Sequence, residues 1–213
     1  MIGLLGLQAM GRTPAPRLET VRLLCRSYQL VMRAADAKMQ IQVVTYDPAW
    51  RGEFEAEARR ITRALGDLVV CLHHIGSTAI PGILAKPIID FLMEVEDIVD
   101  LDDRSSVMEE LGYEAMGEFG IPGRRYFRKN NALGVRTHQV HAFEADSTEV
   151  ERHLAFRDYM IAHPVEAQAY GDLKQKLAQE HPDDIEAYMD GKDPYIKEHE
   201  AKAIAWRSSQ TAK

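Results

Sequence analysis

The stretch His74-Ile-Gly-Ser-Thr-Ala-Ile-Pro-Gly82, followed closely by Ala85-Lys-Pro-Ile-Ile-Asp90, gathers residue types suited to an anionic substrate. A strand that closes on Gly76-Ser77 leaves backbone N–H groups unpaired at a tight turn, and with the hydroxyls of Ser77 and Thr78 they suit a phosphate tail. A plain turn capped by Ser77 is the alternative. Asp90 lies inside an apolar run, where an unpaired carboxylate is expensive to bury, so it needs a partner, a metal or an opening onto a cleft. It is the first candidate for a catalytic residue. His73 and His74 alternate across a strand, so only one can look into a cleft shared with Ser77 and Asp90. We expect His74 to be that one and a second catalytic candidate, with a hydrogen bond that pins the loop as its structural alternative. Lys86, Arg124, Arg125, Arg128 and Lys129 offer a local positive field for an anionic substrate, or simply a solvated face. Lys174, at a helical position, can reach a phosphate or stay solvated.

These residues need elements to position them. Residues 41–44 read as a short strand, and Asp47-Pro48 offers an N-cap and an opening proline for a helix. Trp50, Phe54, Ala58, Ile61 and Leu65 make one apolar helical face, closed by Gly66. The runs 68–75 and 88–95 read as buried strands on either side of a Gly/Pro loop, so Asp90 is a strand residue and Gly76 a strand end. Residues 102–111 predict a helix closed by Gly112, residues 117–123 a loop, and 125–129 with 136–144 two strands joined by a hairpin connection. Helices are expected over 147–162, 164–180 and 194–206, with a short helical turn near 184–188. Strands first and helices last predict an α+β domain with a mixed sheet and a helical C-terminal third. In the strand 137–144, Gln139 and His141 share one face and His138 takes the other, which argues against His138 and His141 chelating one metal. Ordinary core or surface histidines are the alternative.

The string HIGSTAIPG…AKPIID resembles the signature of the GrpB family, which is placed with the nucleotidyltransferase superfamily and also occurs fused to dephospho-CoA kinase. Tyr46-Asp-Pro-Ala-Trp50, Arg125-Tyr-Phe-Arg-Lys129, Arg136-Thr-His-Gln-Val-His141, Phe156-Arg-Asp-Tyr159, His163-Pro164 and Tyr170-Gly-Asp-Leu-Lys174 continue the resemblance, which covers residues 41–205. It implies a nucleotidyltransferase-like mixed sheet in which Gly76, Ser77 and Thr78 cradle phosphates, with Lys86, Arg125, Arg128 and Lys174 as further phosphate-binding candidates. It also implies Mg²⁺ held by Asp90, usually with a second acid two residues on, because alternate strand positions share a face. That position is Leu92 here, and Glu94 lies roughly 13 Å from Asp90, so the acid pair is incomplete. His141 is the further metal-ligand candidate, from a strand where superfamily members often place a third acid. The expected function is a nucleotidyltransferase-like enzyme acting on a nucleotide or other phosphorylated substrate with Mg²⁺. The alternative is a non-catalytic module of the same fold binding a nucleotide or CoA-like ligand. A metal-dependent hydrolase ranks last, since no His-Glu-x-x-His spacing is present.

Composition narrows the class. With 213 residues, 46% hydrophobic and 28% charged, the chain fits one globular domain. A net charge of -7 argues against broad nucleic-acid binding, which needs excess Lys and Arg to displace phosphate counterions. Cys25 and Cys71 indicate no disulfide framework, no run is long enough to span a bilayer, and the first ten residues lack the basic start and cleavage site of a signal peptide. A cytoplasmic protein is expected, with no membrane as partner and no broad nucleic-acid binding, a local basic pocket being compatible with the charge. Residues 1–40, with a weak amphipathic helix over 18–38, read as an extension, disordered or upstream of the natural start. The domain is expected over 41–207 and a tail over 208–213.

Overall fold

The computed structural model describes residues 40–211, which belong to the unit Gln40–Lys213. The helix expected over 18–38 lies outside the described residues.

Helix α1 (Ala49–Leu65) starts where Asp47 Oδ1 accepts a hydrogen bond from the Ala49 N–H at 2.9 Å, and stops at Gly66, whose φ of 62° suits glycine. Its apolar face buries Trp50, Ile61 and Leu65 against the sheet. Strand β1 (Val69–Ile75) pairs antiparallel with β2 (Ile89–Val95). Helices α2 (Ile98–Asp103) and α3 (Ser105–Glu110) lead to β3 (Tyr113–Ala115), β4 (Arg125–Asn130) and β5 (Arg136–Glu144). Helices α4 (Thr148–Ala162), α5 (Pro164–Glu180) and α6 (Ile185–Thr211) complete the described chain. The sheet order is β1-β2-β5-β4-β3, with β2 and β5 parallel and every other pair antiparallel. The α+β class, the mixed sheet and the helical C-terminal third are therefore as the order of elements implied.

Register decides which residues meet. Ile75, Asp90, Gln139 and Arg128 form one row across the sheet, and His73, Leu92, His141 and Tyr126 the next row on that face. The opposite face carries Phe91, Met93, Val95, Val140, Ala142 and Phe127, the main core beneath α1. On the Asp90 face, Val150 and Leu154 of α4 pack on Ile75, Leu92 and Phe143.

Three expectations need correction. Residues 41–44 form no strand: Val44 makes a single antiparallel bridge to Ala85, two hydrogen bonds of 2.8 Å, and with no further ladder partner the segment stays irregular. The helix expected over 102–111 starts earlier, capped by Asp97, whose Oδ1 accepts from Val99 N–H at 2.7 Å, and breaks at Arg104 into α2 and α3. The two C-terminal pieces are one helix of 27 residues with Pro194 inside it. Proline removes one helical hydrogen bond, but packing on both sides of it overrides that loss. Tyr188 and Ala203 are buried, and Gly191 lies so close to Leu177 of α5 that a Cβ would overlap it.

Candidate functional site

At the end of β1 the chain turns at Gly76, with φ 68° and ψ -171°. A Cβ there would overlap Oδ2 of Asp90, so glycine lets the turn close directly onto the carboxyl group. Ser77 and Thr78 open a single 3₁₀ turn, Ser77–Ala79. The buried Thr78 hydroxyl donates to the Ile88 carbonyl at 3.0 Å and so must accept from His74 Nε2, also at 3.0 Å. That network assigns the Nε2–H tautomer to a neutral ring, and burial followed by the charge of Arg157 brings His74 down to about 4. Together these bonds tie the strand end at His74 to Ile88, the residue before β2.

Three lysines from three parts of the chain act on Asp90: Lys192 of α6, Lys86 of the loop before β2 and Lys174 of α5. Burial still dominates and pushes Asp90 up to about 7. Lys174 is 2% exposed, and its Nζ has no hydrogen-bond partner among the described residues. It sits 4.5 Å from the centroid of the Tyr170 ring, and burial, then repulsion by Lys192, bring it down to about 7 against the attraction of Asp90. Lys192 is brought down to about 8 by burial and by Lys86. Lys86 is lowered by burial, with Asp90 opposing and Arg136 reinforcing the shift. Lys86 and Lys192 lie 5.5 and 5.4 Å from the centroid of the Tyr188 ring. Arg136 donates to the Tyr126 hydroxyl at 3.2 Å. One carboxyl group thus faces more cationic capacity than it can neutralise, and one ammonium is left unsatisfied.

The other expected residues lie elsewhere. Arg125 forms a two-pronged pair with Asp102 at 2.5 and 2.6 Å, and Arg128 one with Glu114 at 2.5 and 2.9 Å. Lys129 reaches Glu57 at 2.7 Å, and Arg124 is taken up by the carbonyls of Glu118 and Phe119 and by His141 Nδ1. Strand alternation sends Arg125 and Lys129 to the α1 side of the sheet, and Arg128, though in the row of Asp90, is engaged by its carboxylate neighbour. The positive field comes instead from the lysines. His74 is likewise corrected: register puts it opposite Phe91, stacked on Phe54 with ring centroids 4.8 Å apart, and His73 takes the face of Asp90. His141 shares that face one row along, opposite Leu92, where burial and then His153 and Arg124 bring it down to about 3. Its Nδ1 faces the Arg124 guanidinium at 3.3 Å.

Sequence reasoning missed Lys192, Arg136 and the tyrosines. A signal existed: Tyr170 and Lys174, and again Tyr188 and Lys192, stand four residues apart, the spacing that stacks side chains on one helical face. Two shallow cavities, of about 260 Å³ beside Ile41–Val44 and about 560 Å³ between Ala58–Arg63 and Val69–Leu72, do not involve Asp90.

The GrpB protein family model matches residues 40–202. The chain belongs to the GrpB family. Protein YqkA of Bacillus subtilis is 43% identical over 173 residues, which make up 81% of this chain and 50% of YqkA. The chain thus spans half the length of that relative. The crystal structure of the conserved protein GrpB from Enterococcus faecalis superposes with a TM-score of 0.74 at 47% identity, covering 78% of this chain and 99% of that one. A weaker likeness, with a TM-score of 0.44 at 9% identity, covers 76% of this chain and 46% of the Cid1 poly(U) polymerase.

In this GrpB chain the donors around Asp90 do not fit Mg²⁺. A hard divalent cation asks for several oxygen ligands. Asp90 instead feels the charges of Lys86, Lys174 and Lys192, and the same-face position two residues on is Leu92, wholly buried among Ile75, Phe143, Val150 and Leu154. Among the described residues, no helix is long and apolar enough to cross a membrane.

Proposed function

We propose that this GrpB-family chain binds a small phosphorylated ligand, of the nucleotide or CoA-like class, between the Gly76-Ser77 turn, Asp90 and the lysines Lys86, Lys174 and Lys192. The observation that carries the reading is the buried ammonium of Lys174, with no hydrogen-bond partner among the described residues, beside two further lysines. Such a group is costly to keep unless something binds it. A phosphate dianion supplies the missing acceptors, while Asp90 takes up a proton to avoid repelling it. Ser77 and the turn at Gly76 offer the remaining donors.

The lysines carry the charge neutralisation that Mg²⁺ provides in metal-assisted phosphoryl chemistry. Nucleotidyl transfer with Mg²⁺, the activity implied by the family resemblance, asks for a second carboxylate beside Asp90, and core Leu92 and Gln139 occupy the neighbouring places. The binding module is therefore the reading that the geometry favours. Its test is calorimetry with pyrophosphate, ATP and CoA on the whole chain, with and without Mg²⁺. Binding that survives chelation and disappears in Lys174→Met supports it, whereas binding that needs Mg²⁺ and the Asp90 carboxylate would restore the metal-assisted enzyme.

A further inference from the structure

At the far end of the same strand pair, Cys71 and His73 of β1 and Glu94 of β2 bring a thiol, an imidazole and a carboxylate together, with one ligand atom from each lying within 4.8 Å of the others. Register explains the meeting: Cys71 pairs with Glu94 and His73 with Leu92, so the three side chains project from one face at the sheet edge, where β1 is the outermost strand. The imidazole stands between the other two groups, with Nε2 at 2.5 Å from Glu94 Oε1 and Nδ1 at 4.0 Å from Cys71 Sγ. A tetrahedral zinc with Zn–S of about 2.3 Å and Zn–N of about 2.0 Å has an S···N edge of roughly 3.6 Å, near the 4.0 Å found, and Glu94, which now meets the other ring nitrogen, must leave Nε2 to join the same ion. The His73 and Glu94 side chains are 22% and 14% exposed, which leaves an approach for a cation and for a fourth, exogenous ligand. Leu92 separates this cluster from Asp90, so it plays no part in the proposed phosphate site.

We propose that Cys71, His73 and Glu94 form a binding site for a borderline-soft divalent cation of the zinc type, with three protein ligands and one position open to water. One thiolate, one imidazole and one carboxylate is a donor set that selects such an ion over Mg²⁺ or Ca²⁺, and three ligands plus an open position is the pattern of reactive rather than purely structural zinc. Binding displaces the thiol proton of Cys71, and coordination replaces the His73–Glu94 hydrogen bond.

The test uses the full-length chain carrying Cys25→Ser, so that Cys71 is its single thiol. Titration with Co²⁺ is expected to give a stoichiometric, tetrahedral visible spectrum with a thiolate-to-cobalt charge-transfer band, displaced by Zn²⁺. Cys71→Ser abolishes that band, and His73→Ala or Glu94→Gln weakens binding by about tenfold or more. Zn²⁺ also protects Cys71 from alkylation, a readout that needs no activity. Circular dichroism of each variant establishes that it is folded. A folded chain that shows no charge-transfer band and no protection at equimolar metal, or a band that persists in Cys71→Ser, overturns the proposal and leaves the His73–Glu94 contact as a link between two strands.

Discussion

Replacing Lys174 by methionine is expected to make the protein more stable and unable to bind its ligand. The side chain is 2% exposed, its ammonium has no hydrogen-bond partner among the described residues, and burial with repulsion by Lys192 brings it from the ordinary lysine range down to about 7. A fall of roughly 3.5 units at about 1.4 kcal/mol each sets a penalty of about 5 kcal/mol on the charged form. Asp90 already contributes its attraction within that figure. Exchanging buried ionic groups for apolar ones of similar shape commonly gains about 1–4 kcal/mol, so about 2 kcal/mol is expected, or about 4–8 °C in Tm for a chain of this size. The pH dependence follows from linkage. A base whose folded pKa is depressed binds fewer protons folded than unfolded between about 7 and its ordinary value near 10.4, so its penalty is complete below pH 7 and fades as pH rises to 10.4. The gain of Lys174→Met should therefore be largest near pH 6 and vanish near pH 10. Scanning calorimetry across that range, with and without pyrophosphate, reads both effects. A variant less stable than the parent at pH 6, or one that retains the pyrophosphate-induced shift, would refute the reasoning.

Ligand affinity should fall as pH rises, because the bound anion favours protonated Lys174, brought down to about 7, and protonated Asp90, pushed up to about 7. Calorimetry at pH 7 and pH 9 should differ by at least about tenfold, and equal affinities would exclude these two groups from the site. Arg125→Ala and Arg128→Ala should leave pyrophosphate affinity within about twofold and cost under about 1 kcal/mol each in urea denaturation, since each guanidinium pairs with an exposed carboxylate, Asp102 or Glu114, that water can solvate once the arginine is gone. Glu57→Ala should cost about 3–5 kcal/mol by the same measurement, because Glu57 accepts from Arg60, Lys129 and Tyr113 inside the core and its loss strands the last two. Burial acts to raise Glu57, but Lys129 and Arg60 hold it below its ordinary value; its stabilisation is present above about pH 4.3 and is lost as pH falls further, so the alanine variant should lose that part of the acid transition. Leu92→Asp, which places a second acid two residues from Asp90, should unfold the protein rather than create a metal site, because it buries a carboxylate among Ile75, Phe143, Val150 and Leu154; a folded variant that gains Mg²⁺ affinity would reverse that view.

The sequence by itself determined most of the elements and their periodicity, though not the bounds of the helices at 98–110 and 185–211. The apolar spacing of Trp50 to Leu65, the stop at Gly66, the buried strand β2 and the turn at Gly76 are local patterns, and local patterns fix local structure, whereas the equally apolar run 68–75 became the edge strand β1, in which Ile75 alone is fully buried. It also determined that Asp90 and Leu92 share a face, which made the acid pair incomplete before any contact was known. The family signature was legible for the same reason, in a loop whose glycine is required by its left-handed φ and by the carboxyl group against it. Only tertiary structure decided which cations serve the site. Alternation said that His73 and His74 diverge, but which one turns toward Asp90 depends on the pairing of β1 with β2. The arginines of β4 looked available until Asp102 and Glu114, distant in sequence or on a neighbouring strand, took them. Pro194 looked like a helix start until Tyr188, Gly191 and Ala203 were packed on both sides of it. The charge cluster around Asp90 joins a loop and two C-terminal helices, and the thiol, imidazole and carboxylate at the other end join two strands. Such clusters are set by long-range packing and burial, whose energies depend on neighbours that no local window of residues contains.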